Sequence, residues 1–218
     1  MKYVVIDLEM NTITKNSEAR TICKNEIIEI GAVMLDENLE EVSSFKAYVK
    51  PEYNEITGKI QKLTGITNEM VVMAPKFSKA LKQFTNWCLD SQDEITIYAW
   101  SESDYDQISK EMELKNYSIS QVEEKLLQIK WSDFQHEFDS YLGFEKMLSL
   151  KQALDMAGID FSGRQHDALD DARNTAELLQ VFKNKDLFDR TLRKIKEAME
   201  PKKVSCTLGD LFDFSAFA

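Results

Sequence analysis

Two carboxylates stand two residues apart near the start of the chain, Asp7 and Glu9 in "YVVIDLEMNT". The preceding Tyr3, Val4, Val5 and Ile6 are strand formers, and strand residues i and i+2 point to one face, roughly 6–7 Å apart. Full charges about 4 Å apart repel by about 4 kcal/mol at an effective dielectric of 20, so buried carboxylates protonate or acquire a partner. No Lys or Arg lies between residues 3 and 14. A divalent cation is the remaining obvious partner, and oxygen donors of this kind suit Mg²⁺ or Mn²⁺ rather than zinc. The plainer alternative is an acidic strand end exposed to water.

Two further clusters carry chemistry. In "YAWSESDYDQI" a strand delivers Asp104 and Asp106 to the beginning of a helix, where acidic residues also have the ordinary explanation of a favourable helix dipole. In "GRQHDALDDARNTAELL" His166 and Asp171 are five residues apart, about 140° around an ideal helix, so they cannot share a helical face. If His166 lies instead in the loop introduced by Gly163, its ring can swing towards the surface that Asp171 occupies one turn inside the helix. An imidazole with an unperturbed pKa near 6.5 can then accept a proton at neutral pH. A capping or surface histidine is the structural alternative. His136, among charged residues in "DFQHEFD", has no chemical role to suggest.

The elements that must position these groups follow from periodicity. Residues 2–8, 25–37 and 40–52 read as three successive strands, a meander that stops at Pro51. Phe77, Ala80, Leu81, Phe84, Trp87 and Cys88 then mark an amphipathic helix, and residues 94–100 return to strand. In the middle of the chain, Leu126, Leu127 and Ile129 suggest a short strand ending before Ser132, followed by a helix in "DFQHEFDSYLG". Ser149–Ala157 forms a short helix closed by Gly158, and Asp167–Phe182 is helical, with the core ending near residue 183. Residues 186–199 form a charged amphipathic helix halted by Pro201. The trailing "TLGDLFDFSAFA" is expected to pack on its own domain in preference to docking a partner. Strands followed by alternating helix and strand indicate an α/β layer with a mixed central sheet flanked by helices.

Composition limits the partners. With 27 Lys and Arg against 38 Asp and Glu, the net charge of −11 repels polyanions, so nucleic-acid binding must be local. The apolar strand begins at once, with no basic leader, and no apolar run approaches a membrane span. A soluble, cytoplasmic protein without a membrane partner is expected. Cys23, Cys88 and Cys206 lack a C-x-x-C pair and are expected to stay reduced.

In order and spacing, "VVIDLEMN", "WSESD" and "HDALDDARNTAEL" resemble the three exonuclease motifs of the DEDDh branch of the DnaQ-like 3'-5' exonucleases. The likeness continues through "NEIIEIGAV", "IQKLTGIT" and "SLKQALDMAGIDFSG", and is strongest to ERI-type exoribonucleases and single-domain oligonucleotide-trimming members. It implies a ribonuclease-H-like exonuclease domain over residues 1–183, with 184–218 as a C-terminal helix and apolar tail. It also implies Asp7, Glu9, Asp104 and Asp171 as ligands of two Mg²⁺ or Mn²⁺ ions, and His166 as general base. Asp104 is preferred to Asp106 because Ile108, four residues on, matches the family's apolar position, whereas Asp106 has Lys110 there. Met10, Asn11, Gly65 and Ile66 are placed beside the terminal nucleotide, although Thr12 falls one place later than the family's Thr. The expected substrate is a single-stranded RNA or DNA with a free 3' end, released as nucleoside 5'-monophosphates; oligomeric state is left open.

Two other functions use the same residues differently. A haloacid-dehalogenase-type phosphatase begins with Asp-x-Asp-x-Thr or Val after a strand, but here Glu9 replaces the second Asp, Asn11 takes the Thr or Val position, and the late His has no use. A catalytically idle nuclease-like module could instead recruit partners through Leu208, Leu211, Phe212, Phe214 and Phe217; the intact set of four carboxylates and one histidine argues against it.

Overall fold

The computed structural model describes residues 1–90, 93–143, 147–184, 186–191 and 193. Five strands form one mixed sheet: β1 (Lys2–Thr12), β2 (Asn25–Leu35), β3 (Glu41–Tyr48), β4 (Ile95–Ala99) and β5 (Trp131–Asp133), in the order β3-β2-β1-β4-β5. β1 is antiparallel to β2 and parallel to β4; β2–β3 is antiparallel and β4–β5 parallel. The first three strands are thus the expected meander. Among the described elements, eight α-helices and a short 3₁₀ helix (Glu18–Thr21) accompany them: α1 (Gly58–Thr64), α2 (Asn68–Val71), α3 (Phe77–Leu89), α4 (Ser103–Leu114), α5 (Gln121–Gln128), α6 (Phe134–Leu142), α7 (Leu150–Ala157) and α8 (Ala168–Lys183).

β1 reads as a continuous apolar run because both of its faces are covered. Val4, Ile6 and Leu8 pack with Phe77, Ala80, Leu81 and Phe84 of α3. Val5, on the opposite face, joins Phe134 and Phe138 of α6, Leu154 of α7 and Leu178 and Leu179 of α8. Asp7 and Glu9 follow Val5 in the alternation, so both carboxylates emerge on the α8 side. β1 runs to Thr12, past the expected end at residue 8, because its pairing with β2 continues from Tyr3–Leu35 to Thr12–Asn25. One irregularity interrupts that ladder: Glu9 pairs with Glu29 but Met10 with Ile27, leaving Ile28 as the extra residue of a β-bulge. Ile28 packs instead with Ile56, Ile66 and Val71.

The middle of the chain departs from the periodicity. Leu126 lies in a helix, α5, because Ser120 and Glu123 form a reciprocal capping box that starts one, and the strand begins only at Trp131. The core also extends beyond residue 183: Phe188 is 2% exposed and packs against Phe138, Tyr141 and Phe182. Residues 186–191 are helical as expected; the later part of that helix and the apolar tail lie outside the described residues. Cys23 and Cys88 are buried free thiols. Among the described residues no helix is long and apolar enough to cross a membrane.

A buried charge network fixes the loop ahead of α1. Glu26, with no exposed surface, accepts the backbone N–H groups of Glu52 (2.7 Å) and Tyr53 (2.9 Å). Lys115 sits between Glu111 (2.7 Å), Glu52 (3.2 Å) and Glu26 (3.3 Å). This cation keeps three carboxylates paired where unpaired charge would be costly. The loop in turn sets the start of α1, whose N-cap Thr57 accepts from Ile60, and so the position of Gly65 at its end.

Candidate active site

Asp7, Glu9, His166 and Asp171 line one cleft of about 450 Å³. Asp104, 4% exposed at the first turn of α4, reaches the same carboxylates from β4's end, and Leu8's backbone N–H bonds to its carboxyl. Asp106 points elsewhere: its half-exposed side chain pairs with Lys110 one turn on, at 2.9 Å. The five residues singled out by the motifs are therefore brought together from β1, α4, and the start of α8.

Their electrostatics record the crowding. Asp7 is held well above the usual carboxylate range, first by burial and then by the charges of Asp104, Asp171, Glu9 and Glu29. Burial, followed by Asp171 and Glu29, pushes Glu9 up to about 8. Burial raises Asp104 to about 7 against the stabilising Leu8 N–H, and raises Asp171 to about 6 against the His166 N–H. Four acidic groups share a site whose one lining cation among the described residues, Lys151, is paired with Asp155, and they form the donor set of a hard divalent cation. Glu9, His166 and Asp171 each present a ligand atom within 4.8 Å of the other two.

The His166 loop is shaped by the helix it precedes. His166 has a left-handed backbone (φ 62°), and its N–H donates to Asp171 Oδ2 at 2.8 Å. Asp170 likewise accepts from Arg164 N at 2.8 Å, and Asp167 caps the helix by accepting from Asp170 N at 3.3 Å. The five-residue spacing thus works through a loop folded back onto the first turn of α8, as its sequence suggests.

Three residues given no role in the motif reading hold that turn against the sheet. Glu29, 1% exposed, accepts the Ala168 N–H at 3.0 Å. Lys46 of β3 bridges Glu29 Oε1 (3.2 Å) and the Asp167 carboxylate. Gly31, paired with Asp7, allows the approach: a Cβ there would lie 2.2 Å from the backbone of Ala168 and Leu169. A charge at 29 inside the apolar run "IIEIGAV" was the available signal.

The residues expected beside a terminal nucleotide are distributed differently. Asn11 has no exposed surface; its amide donates to the carbonyls of Asn54 (3.3 Å) and Glu55 (3.2 Å) and accepts from Thr57 N (3.2 Å). Its hydrogen bonds are thus spent on the loop before α1. Met10 packs against the α3 core and Ile66 is 2% exposed among apolar neighbours. Gly65 caps α1 with φ 72°, and the Arg164 guanidinium fills the space its side chain would need. That contact ties the end of α1 to the histidine loop.

A mixed sheet of this order, with acidic residues gathered at the end of its central strand, defines a ribonuclease-H-like nuclease fold. The family profile described as Exonuclease (RNase_T) matches residues 4–179, and the chain belongs to that family. It is 28% identical to ERI1 exoribonuclease 2 of Mus musculus over 227 residues, covering 94% of this chain and 32% of the relative. To 3'-5' exoribonuclease 1 of Mus musculus it is 28% identical over 160 residues, 71% of this chain and 46% of the relative. The chain thus spans from about a third to just under half of these relatives' length. Among solved structures, the nuclease domain of 3'hExo, a DEDDh family member bound to rAMP, superposes with a TM-score of 0.68 at 26% identity, covering 84% of this chain and 92% of the other.

Proposed function

We propose that the chain is a 3'-5' exonuclease that removes nucleoside 5'-monophosphates from the free 3' end of single-stranded RNA or DNA. The observation that carries this is the gathering of Asp7, Glu9 and Asp171 on one cleft with His166, with buried Asp104 close enough to raise Asp7. Asp7, Glu9, Asp104 and Asp171 would hold two Mg²⁺ or Mn²⁺ ions between them. Such ions, when bound, supply Lewis-acid activation of water and charge neutralisation at the leaving oxygen.

The chain's own residues do the rest. The imidazole of His166, on an exposed loop pinned by Asp171, is placed to take the proton of the attacking water. Glu9 and Asp171 each offer a carboxylate oxygen within 4.8 Å of that ring's ligand nitrogen. At a net charge of −11 the surface cannot provide the many phosphate contacts of duplex binding, which favours short single-stranded ends. Family membership and the likeness to exoribonucleases support this reading, and a cytoplasmic setting accords with the two buried free thiols.

The test uses 5'-labelled RNA and DNA oligonucleotides with Mg²⁺, with Mn²⁺ or with a chelator. A ladder shortening from the 3' end, abolished by chelation and by Asp7→Ala, is the expected result. Intact oligonucleotides under all conditions would overturn the proposal.

A further inference from the structure

The far wall of the carboxylate cleft is the beginning of α7, where Ser149, Leu150 and Lys151 face the site. That wall is well fixed. Ser149 accepts from Gln152 N (3.3 Å), and the Gln152 side chain accepts from Ser149 N (3.0 Å), a reciprocal cap that sets where the helix starts. Lys151 is the one Lys or Arg among the described residues lining the cleft. Its ammonium is held by Asp155 at 3.2 Å, one turn on, with side chains 52% and 58% exposed. A pair so exposed contributes little and exchanges partners readily.

Two other cations border the site, and both are committed. Lys46 is shared between Glu29 and Asp167. Arg164 lies against Gly65 and donates to the Leu63 carbonyl at 3.3 Å. Lys151 alone lines the cleft with a partner that a phosphate could displace. A strand bearing one charge per nucleotide, entering a site already rich in carboxylates, requires such a counter-charge next to it.

The geometry points to Lys151 as a subsite for the phosphodiester immediately 5' of the scissile one in a single-stranded oligonucleotide. This rests on the exonuclease reading above: with the scissile phosphate at the carboxylates, the rest of the strand leaves across α7. The carboxylates would hold divalent cations at the scissile phosphate, whereas the next phosphate lies beyond them and meets the ammonium. A dinucleotide has no second phosphodiester and so makes no such contact.

The experiment compares kcat/KM for a hexanucleotide and a dinucleotide with Mn²⁺, in wild type, Lys151→Ala, Lys151→Arg and Asp155→Ala. In Lys151→Ala the hexanucleotide-to-dinucleotide ratio is expected to fall about tenfold, through KM, as befits one lost charge-assisted contact. The slope of log KM for the hexanucleotide against log salt should decrease by about 0.7, one single-strand phosphate contact. Lys151→Arg should keep the ratio, and Asp155→Ala should keep or raise it. An unchanged ratio in Lys151→Ala overturns the subsite, as does an equal fall in Asp155→Ala, which would make the ion pair a structural feature of α7. Wild type inactive on both substrates would instead overturn the exonuclease reading, and the subsite with it.

Discussion

Glu29 lies directly across the β1–β2 ladder from Glu9, at the bulge, and accepts the backbone N–H of Ala168 at 3.0 Å. One buried carboxylate therefore backs a candidate metal ligand and anchors the helix that carries another. Like charges opposed across a ladder are destabilising, and Lys46 is the group that offsets this pair. Glu29→Gln keeps an acceptor for Ala168 and is expected to cost less than about 1 kcal/mol in urea unfolding, while Glu29→Ala costs about 2 kcal/mol. Lys46→Met should weaken Mn²⁺ binding by calorimetry less than Glu29→Ala does, because Glu29 still holds α8 without the lysine. Equal stability of all three would show that Glu29 anchors nothing.

Gly31 makes the closest approach between sheet and helix in the site. Gly31→Ala puts a methyl 2.2 Å from the Ala168 carbonyl carbon and the Leu169 nitrogen, so the first turn of α8 must move away from β2. Such overpacking costs about 1–3 kcal/mol. Activity should fall further than stability, since Asp171 and the His166 loop move with the helix while Asp7 stays on the strand. A variant with a lowered melting temperature and unimpaired oligonucleotide trimming would contradict this account of the glycine.

What the sequence exposed and what it concealed divide along a physical line. Asp7, Glu9, Asp104, His166 and Asp171 were legible because each sits at a fixed offset from a strong local signal, the end of an apolar strand or the start of a helix. The helix nature of residues 121–128 was missed although "SQVE" is a capping box, since three apolar residues near its end resembled a strand. The clasp between Glu29 and Ala168 spans 139 positions in the chain, and the bulge at Ile28 that puts Glu29 opposite Glu9 belongs to cross-strand register. Neither is visible in local periodicity. Asn11 shows the converse: its place in the motif suggested a nucleotide, whereas its surroundings spend every hydrogen bond on the 54–57 loop.

The raised carboxyl pKa values predict how the metal-free protein responds to pH. An acid whose folded pKa exceeds its unfolded value binds protons more tightly in the native state, so stability falls as pH rises from the unfolded to the folded value. Glu9 at about 8, Asp104 at about 7 and Asp171 at about 6 place that window between about pH 4 and pH 8. In chelator, the melting temperature should therefore decline from pH 5 to pH 8, and Asp7→Asn should raise it at pH 8 by removing one of the crowded charges. Mn²⁺ should restore stability most at the alkaline end. A melting temperature in chelator that rises over this interval would contradict the burial of these groups.

His166 offers a sharp separation between a base and a ligand, because its ring, Glu9 and Asp171 could share one ion. His166→Asn is the informative change: Asn tolerates the left-handed backbone at φ 62°, and the N–H to Asp171 Oδ2 belongs to the main chain. The loop should therefore keep its shape while the proton acceptor is lost. Turnover is expected to fall by about 10²–10⁴-fold, the usual contribution of a positioned general base, with KM within about threefold of wild type. Calorimetric Mn²⁺ affinity should also stay within about threefold, since the carboxylates that hold the charge are untouched. A collapse of Mn²⁺ affinity would reassign the imidazole to the metal and leave the attacking water's proton to another acceptor in the cleft.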